Sequence, residues 1–548
     1  MRFGYAALAS MLACSAALAQ TTAPVTVNVD LGKKMGELKP VASWFGYDEA
    51  NYTTMQHGKQ LLRDLRDLSP VPVHIRAHHL FTSGDGKAEL KWSSTNIYTE
   101  DANGKPVYNF KIIDAIFDEY KAAGVVPMVE LGFMPEDLTS GKGAYKVPYP
   151  GRTVSGTVSA PPKDFSKWQE LCRVFAAHLS DRYSADVVKK WYFEVWNEPD
   201  IDYWHGTPQE YWKLYDHAVA GVRAAIPGAH VGGPATTGPF NHDTAGNFLA
   251  DFLNHVYVTK TPIDFISFHV KGRPTFSERG VLMSLSKEMN DADVGFGIVA
   301  KSKFPKLPII LSEADPEGCA ACSMKVNPSN GYRNGTLYPA YTAAALKGLY
   351  DLERRHSVNM ISMLSWSFEF ENKEYFEGFR SLATNGIDKP ILNLFRMVGM
   401  MRGSRVAAES TGATPMETIL SQGVSRGDVD VLASTAEREA NVLIWHYQDD
   451  ETAGPSAPTA VTISGLPKSA QRVLVAEYRI DDRHSNAYTI WKAMGAPQKP
   501  TTAQLAELKA RDGLELYGSP RWVSPQAGAI SVNADMQKQS VSLFQVRW

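Results

Sequence analysis

Glu198 closes the run "WYFEVWNE", and Glu313 closes "LPIILSE". Each puts one carboxylate at the end of an apolar stretch that reads as a β-strand. Carboxylates at strand ends face a shared mouth when the strands belong to one barrel. There, one can stay protonated and donate while the other stays ionised and attacks, or activates water, provided the neighbours push their pKa values apart. Trp196 is placed to desolvate Glu198 and keep it an acid, and Arg76 to hold Glu313 ionised. The alternative is that each Glu simply pairs with a nearby Arg or Lys.

The elements that would position such a pair recur along the chain. Eight β-like runs start near Val41, Val73, Val125, Lys190, Ala229, Asp264, Leu307 and Met360. Between them lie stretches such as "NFKIIDAIFDEYKAAG", "DFSKWQELCRVFAAHLSDRY", "EYWKLYDHAVAGVRAAI" and "AYTAAALKGLYDLERR", with apolar residues at helical spacing. The β-like runs are near-continuously apolar, as in a parallel sheet covered on both faces. This predicts an α/β fold, a (β/α)8 TIM barrel over residues 41–403. A doubly wound open sheet is the alternative, but no G-x-G-x-x-G follows the first strand. Active residues of such barrels sit at the C-terminal strand ends. Polar side chains collect there: Arg76, His78 and His79 after strand two, Asn197 and Glu198 after strand four, His269 and Lys271 after strand six. Glu313 and Asp315 follow strand seven, and Glu369 and Glu371 strand eight.

From residue 404 to 548 the pattern changes to short strands separated by turn residues, such as "NVLIWHY", "RVLVAEYRI" and "SVSLFQVRW". This predicts an accessory C-terminal β-sandwich. Residues 20–40 hold "VTVNVDL", an alternating strand expected to join it. Residues 1–19 read as a cleavable signal peptide, with Arg2, an apolar run and Ala17-Leu18-Ala19. A lipoprotein site at Cys14 is the alternative. The expected location is periplasmic or secreted, with no later membrane span. The mature chain keeps Cys172, Cys319 and Cys322. Cys172 lies on an amphipathic helix, and C-x-x-C can close a small disulfide loop in an oxidising compartment. A net charge of −3 gives no polybasic surface for nucleic acid. The 12 Trp and 23 Tyr can be sugar-stacking surfaces or core.

Two facing carboxylates on such a barrel suit glycoside hydrolysis. A separation of about 5–5.5 Å gives retention, and about 6.5–9.5 Å inversion. The arrangement resembles the clan of retaining (β/α)8 glycosidases with the acid/base on strand four and the nucleophile on strand seven. Within it the chain resembles glycoside hydrolase family 39, the β-xylosidases and α-L-iduronidases. The likeness runs through "VHIRAHHLF", "KKWYFEVWNEPD", "VGGPATTG", "NGIDKP" and "RIDDRHSNAYTIWKAMGAPQ". It implies Glu198 as acid/base and Glu313 as nucleophile. Asn197 would bind the sugar 2-hydroxyl, and Arg76 and His78 would shape the sugar subsite.

Xylosidases of the family typically carry His-x-Tyr-Gly after strand six and Glu-Trp or similar after strand seven. This chain has His269-Val270-Lys271-Gly272 and Glu313-Ala314-Asp315-Pro316. Both are similar to the iduronidases, where the matching Lys271 and Arg380 would hold a sugar carboxylate. A C5 carboxylate in a pocket needs such cationic donors. His269 and Asp315 join the expected substrate-binding set. The alternatives are Lys271 as a solvated loop residue or a partner of Asp315, Arg380 as a partner of Glu371, Glu374 or Glu377, and His269 satisfied by backbone. The resemblance thus implies a retaining exo-acting enzyme on carbohydrate, for a uronic acid or, alternatively, xylose. The reaction needs no metal and no cofactor. A non-catalytic sugar-binding barrel would predict loss of one Glu. Oligomeric state is left open.

Overall fold

The computed structural model describes residues 24–548 apart from 48, 91–92, 142–143, 150–151, 240–244, 320 and 368. The expected leader over 1–19 and Cys14 lie outside the described residues. The first strand, β1 (Val25–Glu37), belongs to the C-terminal sheet. The barrel strands follow: β2 (Trp44–Tyr47), β3 (His74–Ala77), β4 (Val126–Leu131), β5 (Tyr192–Val195), β6 (His230–Thr236), β7 (Phe265–Lys271) and β8 (Pro308–Asp315). The eighth strand comes in two pieces, β9 (Asn359–Met363) and β10 (Ser365–Trp366). Every neighbouring pair is parallel. The ring closes because β9 pairs with β8 while β10 pairs with β2, Ser365 opposite Phe45. This is the (β/α)8 barrel.

Each strand is followed by a helix, for example α1 (Phe165–Tyr183) after β4 and α2 (Pro208–Ala225) after β5. Asp164 caps α1 by accepting from the amides of Ser166 and Lys167. Thr207 and Glu210 form a reciprocal capping box at α2, with Pro208 in its first turn. These caps fix where each helix begins, and so where the loop carrying Glu198 must end. The two helices pack closely at Gly221, where an added Cβ would lie 2.3 Å from the Gln169 carbonyl oxygen.

Inside the ring, Trp44, Met128, Phe265, Ile310, Leu364 and Trp366 form one apolar plug. Trp366 crosses above Gly46, whose missing side chain makes room: a Cβ there would fall 1.5 Å from the indole. Met128 and Glu130 are two apart on β4 and share its inner face. The barrel interior therefore changes from apolar to charged within one strand, just below the mouth.

The second sheet runs through β11 (Ser404–Ser410), β12 (Asp428–Ala436), β13 (Glu439–Tyr447), β14 (Ala457–Ser464), β15 (Val473–Ile480), β16 (Ile530–Met536) and β17 (Ser540–Arg547). Its order is β15-β17-β13-β12-β11-β1-β14-β16. β1 pairs antiparallel with β11 and parallel with β14, which makes the sheet mixed. It forms the accessory β-sandwich, and its core takes alternate residues such as Val27, Val29, Val461 and Val532. Two helices, Ala487–Ala493 and Thr502–Arg511, interrupt it. Their Trp491 and Leu508 cluster with Phe376 and Ile387, just past the eighth barrel strand.

The barrel also meets the sandwich through buried polar groups. Helices α3 (Leu285–Lys301) and α4 (Leu337–His356) follow β7 and β8. Tyr341 of α4 donates to Glu288 of α3 at 2.5 Å and meets Tyr447 of β13 edge-on. Tyr447 donates to Asp449 at 2.6 Å. Burial first, then the charges of Asp315 and Asp291, push the Glu288 carboxyl up to about 8, against the Tyr341 hydrogen bond. An unfolded Glu titrates near 4.3, so between there and about pH 8 the unfolded state has lost a proton that the folded state keeps. Stability from this group is complete below that window and falls as pH rises through it. The loss is on the order of a few kcal/mol. Glu288→Gln keeps the hydrogen bond without titrating, so its melting temperature falls less than that of the wild type between about pH 5 and about pH 8. Scanning calorimetry across that range reads the difference.

Candidate active site

At the end of β5 the backbone turns sharply. Trp196 has φ 72° and Glu198 φ 47°, both in the left-handed region that non-glycine residues rarely occupy. The Glu198 amide donates to the Ala235 carbonyl at 2.9 Å, which holds the turn against β6. Such strain, on the order of 1–3 kcal/mol per residue, persists only where the surroundings over-determine it. Trp196 is fully buried and donates through Nε1 to the Tyr203 carbonyl at 2.9 Å. Its ring meets Phe133 and Trp204 edge-on.

Glu313 comes from β8, where a register shift after Phe268 sets His269 beside Glu313 and Lys271 beside Asp315. One oxygen each of Glu198 and Glu313 and one His269 nitrogen all lie within 4.8 Å of one another. A cation already stands among them. Lys271 Nζ is 2.9 Å from Glu198 Oε1 and 2.7 Å from Glu313 Oε2. His269 Nδ1 is 2.8 Å from Glu198 Oε1 and 3.7 Å from Glu313 Oε1. Arg380 Nη2 is 3.5 Å from Glu313 Oε2. Both carboxylates are buried, with side chains 7% and 4% exposed.

Burial alone would raise both acids. For Glu198 the Lys271 charge and the His269 hydrogen bond overcome it and bring the carboxyl down to about 2. For Glu313, Lys271, His269 and Arg380 bring it well below the ordinary range. This corrects the expectation that Trp196 keeps Glu198 an acid: the indole points away to Tyr203, and the ammonium beside Glu198 decides its charge.

The model of glycosyl hydrolases family 39 matches residues 89–514, a span that takes in both carboxylates, His269, Lys271 and Arg380. The chain belongs to glycosyl hydrolase family 39. It is 26% identical over 494 residues to a β-xylosidase of Geobacillus stearothermophilus, with 86% of each chain covered. It is 24% identical over 546 residues to the α-L-iduronidase of Mus musculus, covering 91% of this chain and 77% of that one. A solved β-xylosidase of Caulobacter crescentus superposes with a TM-score of 0.75 at 22% identity, over 95% of this chain and 99% of that one, and shows the same fold.

In this family 39 hydrolase, two of the residues expected on the sugar have polar atoms held by protein partners. Arg76 has no exposed side-chain surface. Its Nε is 2.6 Å from Glu194, its Nη2 is 3.0 Å from Glu130, and its Nη1 is 3.5 Å from Glu313. It also donates to Asn197 Oδ1 at 2.9 Å and to His78 Nε2 at 2.5 Å. Arg76 therefore stands behind the carboxylates, where three acids share its charge. Asp315 is also turned inward. Tyr338 and Ser365 donate to its Oδ1 and the Trp366 amide to its Oδ2, with Arg380 3.5 Å away. The alternative partners fail as well. Glu371 takes His57, and Glu374 and Glu377 take Lys325, so Arg380 is left to Glu313, Asp315 and the Glu317 carbonyl. Lys271 sits on the two glutamates and not on Asp315.

Several supporting residues escaped the sequence reading. Glu130 and Glu194 lie inside "VPMVEL" and "YFEV", and a charged residue within an apolar barrel strand is the signal for an inward acid. Glu317 pairs with Arg333 and accepts from the Cys319 amide at 2.9 Å. Cys319 and Cys322 are disulfide-bonded, and the Cys322 carbonyl accepts from Asn330 and Arg333. The small loop thus ties the segment after the β8 end to the arginines around it. Cys172 is a buried free thiol.

Arg76→Met removes the guanidinium that Glu130 and Glu194 share. The expected cost is about 3–5 kcal/mol of stability, seen as a lower urea midpoint with intact secondary structure before unfolding.

Proposed function

We propose that this family 39 hydrolase is an exported, retaining exo-glycosidase that removes a terminal uronic acid from a carbohydrate chain. Glu198 is the general acid and then the general base, and Glu313 is the nucleophile. One oxygen of each lies within 4.8 Å of the other's, a close approach that favours a retaining pair over the wider spacing of an inverting one. In the first step Glu198 gives its proton to the glycosidic oxygen as the C1–O bond breaks and Glu313 bonds C1. In the second, water attacks C1, its proton passes to Glu198, and Glu313 leaves. Asn197, with its Oδ1 held by Arg76, keeps its amide N–H groups for the 2-hydroxyl. His78 and His269 line the sugar subsite.

The observation that carries the uronide reading is Lys271. Its ammonium stands at both reacting carboxylates, where a hydroxymethyl-free pyranose has no use for a cation and a C5 carboxylate does. Arg380 stands on the Glu313 side of the same group. The leader-like sequence pattern of residues 1–19 supports export. Likeness to β-xylosidases of similar identity favours the second reading, a β-xylosidase. No described helix is long and apolar enough to cross a membrane.

The test is a panel of aryl glycosides: α-L-iduronide, β-glucuronide, β-xyloside and α-L-arabinoside. Turnover of a uronide, reduced in Lys271→Ala by about 100-fold or more in kcat/KM, supports the reading. Turnover of the xyloside alone selects the β-xylosidase.

A further inference from the structure

We propose that Lys271 locks the free enzyme by bridging Glu198 and Glu313, and that the carboxylate of an arriving uronide unlocks it by drawing the ammonium off Glu198. The proposal rests on the uronide reading and adds to it a way for the site to discriminate against neutral sugars.

The conflict that demands such a step lies in the geometry. The first displacement needs a proton on Glu198. In the structure, Glu198 Oε1 faces two cationic or proton-donating groups, Lys271 Nζ at 2.9 Å and His269 Nδ1 at 2.8 Å. The same ammonium reaches Glu313 at 2.7 Å. A carboxyl held this way is ionised, and an ionised carboxylate has no proton to give. Something must remove the ammonium before chemistry, and a ligand can shift this arrangement only through a contact it makes better in the other one. A substrate carboxylate offers that contact; a xyloside offers none.

The surroundings fit the removal. The Lys271 side chain is 12% exposed, more than either acid. It lies over Gly318, whose absent Cβ would be 3.6–3.7 Å from Lys271 Cδ and Nζ. At that position no side chain stands against the ammonium. Its backbone is fixed independently, since its amide donates to Asp291, whose carboxylate pairs with Lys287 at 2.5 Å. The ammonium can change partner while the strand stays.

The charges left behind point the right way. Once Lys271 pairs with the ligand, Glu198 loses the stronger of the two groups that hold it ionised and keeps the His269 contact at 2.8 Å. Its burial and the ionised Glu313 beside it then raise its proton affinity. Glu313 still faces Arg380, Arg76 and His78 and stays ionised. Asp200, two residues beyond Glu198 and raised to about 7 by burial and then by the Glu198 charge, does not add a second negative charge near it below neutral pH. Glu198 therefore takes the proton from water. It spends it on the glycosidic oxygen as Glu313 bonds C1, and it is ionised again for the second step.

Two measurements test this. In the wild type, kcat/KM reports the free enzyme and kcat the complex. For a uronide the alkaline limb of kcat is expected at least about one pH unit above that of kcat/KM. This needs no variant. Second, Lys271→Met and Lys271→Gln are compared with wild type on the aryl α-L-iduronide and β-xyloside, with melting curves to show folding. The uronide kcat/KM is expected to fall about 100-fold, while the xyloside kcat/KM rises about tenfold near pH 7 because the lock is gone. Coincident limbs, or a xyloside rate that is unchanged or lower in both folded variants, overturn the lock and leave the uronide reading standing. If the wild type hydrolyses the xyloside and neither uronide, the reading itself is overturned and the proposal goes with it.

Discussion

Glu313→Ala loses turnover of an aryl glycoside by on the order of 10,000-fold or more, and azide restores it with inverted configuration. The loss corresponds to about 5–6 kcal/mol of transition-state stabilisation. The argument starts from what Glu313 touches. It is the acid on which Lys271, Arg380, Arg76, His78 and His269 converge. That environment keeps it ionised at any working pH, as an attacking carboxylate must be. Alanine removes the attacking oxygen and leaves a space bordered by cations. A small anion such as azide enters there and attacks C1 from the nucleophile's side. The product is a glycosyl azide of opposite anomeric configuration to the substrate, because only one displacement has occurred. Asn197 and Glu198, the proposed substrate contacts, remain in place, so KM is expected to change much less than kcat. Removing a buried acid also leaves its cations less compensated, so melting curves of Glu313→Ala and Glu313→Gln accompany the kinetics. A folded variant with wild-type kcat, or an azide product of retained configuration, means that Glu313 is not the nucleophile.

The parts of this molecule that could be read from sequence are those with a one-dimensional signature. The barrel strands are continuous apolar runs because both of their faces are covered, and a polar residue at the end of such a run has few places to go but the mouth. That is why Glu198, His269, Lys271 and Glu313 could be picked out together. The register shift after Phe268 that lines His269 up with Glu313 leaves no trace in spacing. Neither does the height of a residue within the barrel. Arg76 and Asp315 occupy strand-end positions in sequence just as Lys271 does, yet their polar atoms are held by Glu130, Glu194, Ser365 and Tyr338, which reach them from other strands and helices. A partner contributed from elsewhere in the chain decides what a strand-end side chain pairs with.

The charge state of Glu198 shows the same limit. An aromatic neighbour in sequence suggests a dry pocket and a raised pKa. The structure puts a lysine from another strand at 2.9 Å and reverses the sign. The helical insert between β15 and β16 was hidden for a different reason. It is amphipathic only toward the segment after the eighth barrel strand, through Trp491 and Leu508, so its pattern is weak when read alone.

Glu198→Ala separates the two steps that Glu313→Ala removes together. The expected effect depends on the leaving group. For a natural glycoside, whose alkoxide leaves poorly without a proton, kcat/KM falls by roughly 100- to 10,000-fold, the usual contribution of a general acid. For a dinitrophenyl glycoside, whose phenolate leaves unaided, kcat/KM stays within about tenfold of wild type. Its kcat still falls, because the second step lacks the base that activates water, and the glycosyl–Glu313 intermediate accumulates. The signatures are a burst of phenolate, a lowered KM and a covalent adduct on Glu313 visible by intact mass. Azide needs no base, so it raises kcat again. Two displacements have then occurred, and the azide has the configuration of the substrate, opposite to that from Glu313→Ala. The pH profile adds a second reading: the alkaline limb of kcat/KM for the dinitrophenyl glycoside is expected to disappear with Glu198. Were both substrates slowed equally, with no burst, Glu198 would be holding the site together and not moving a proton. Lys271, now facing Glu313 alone, would then be the next residue to replace.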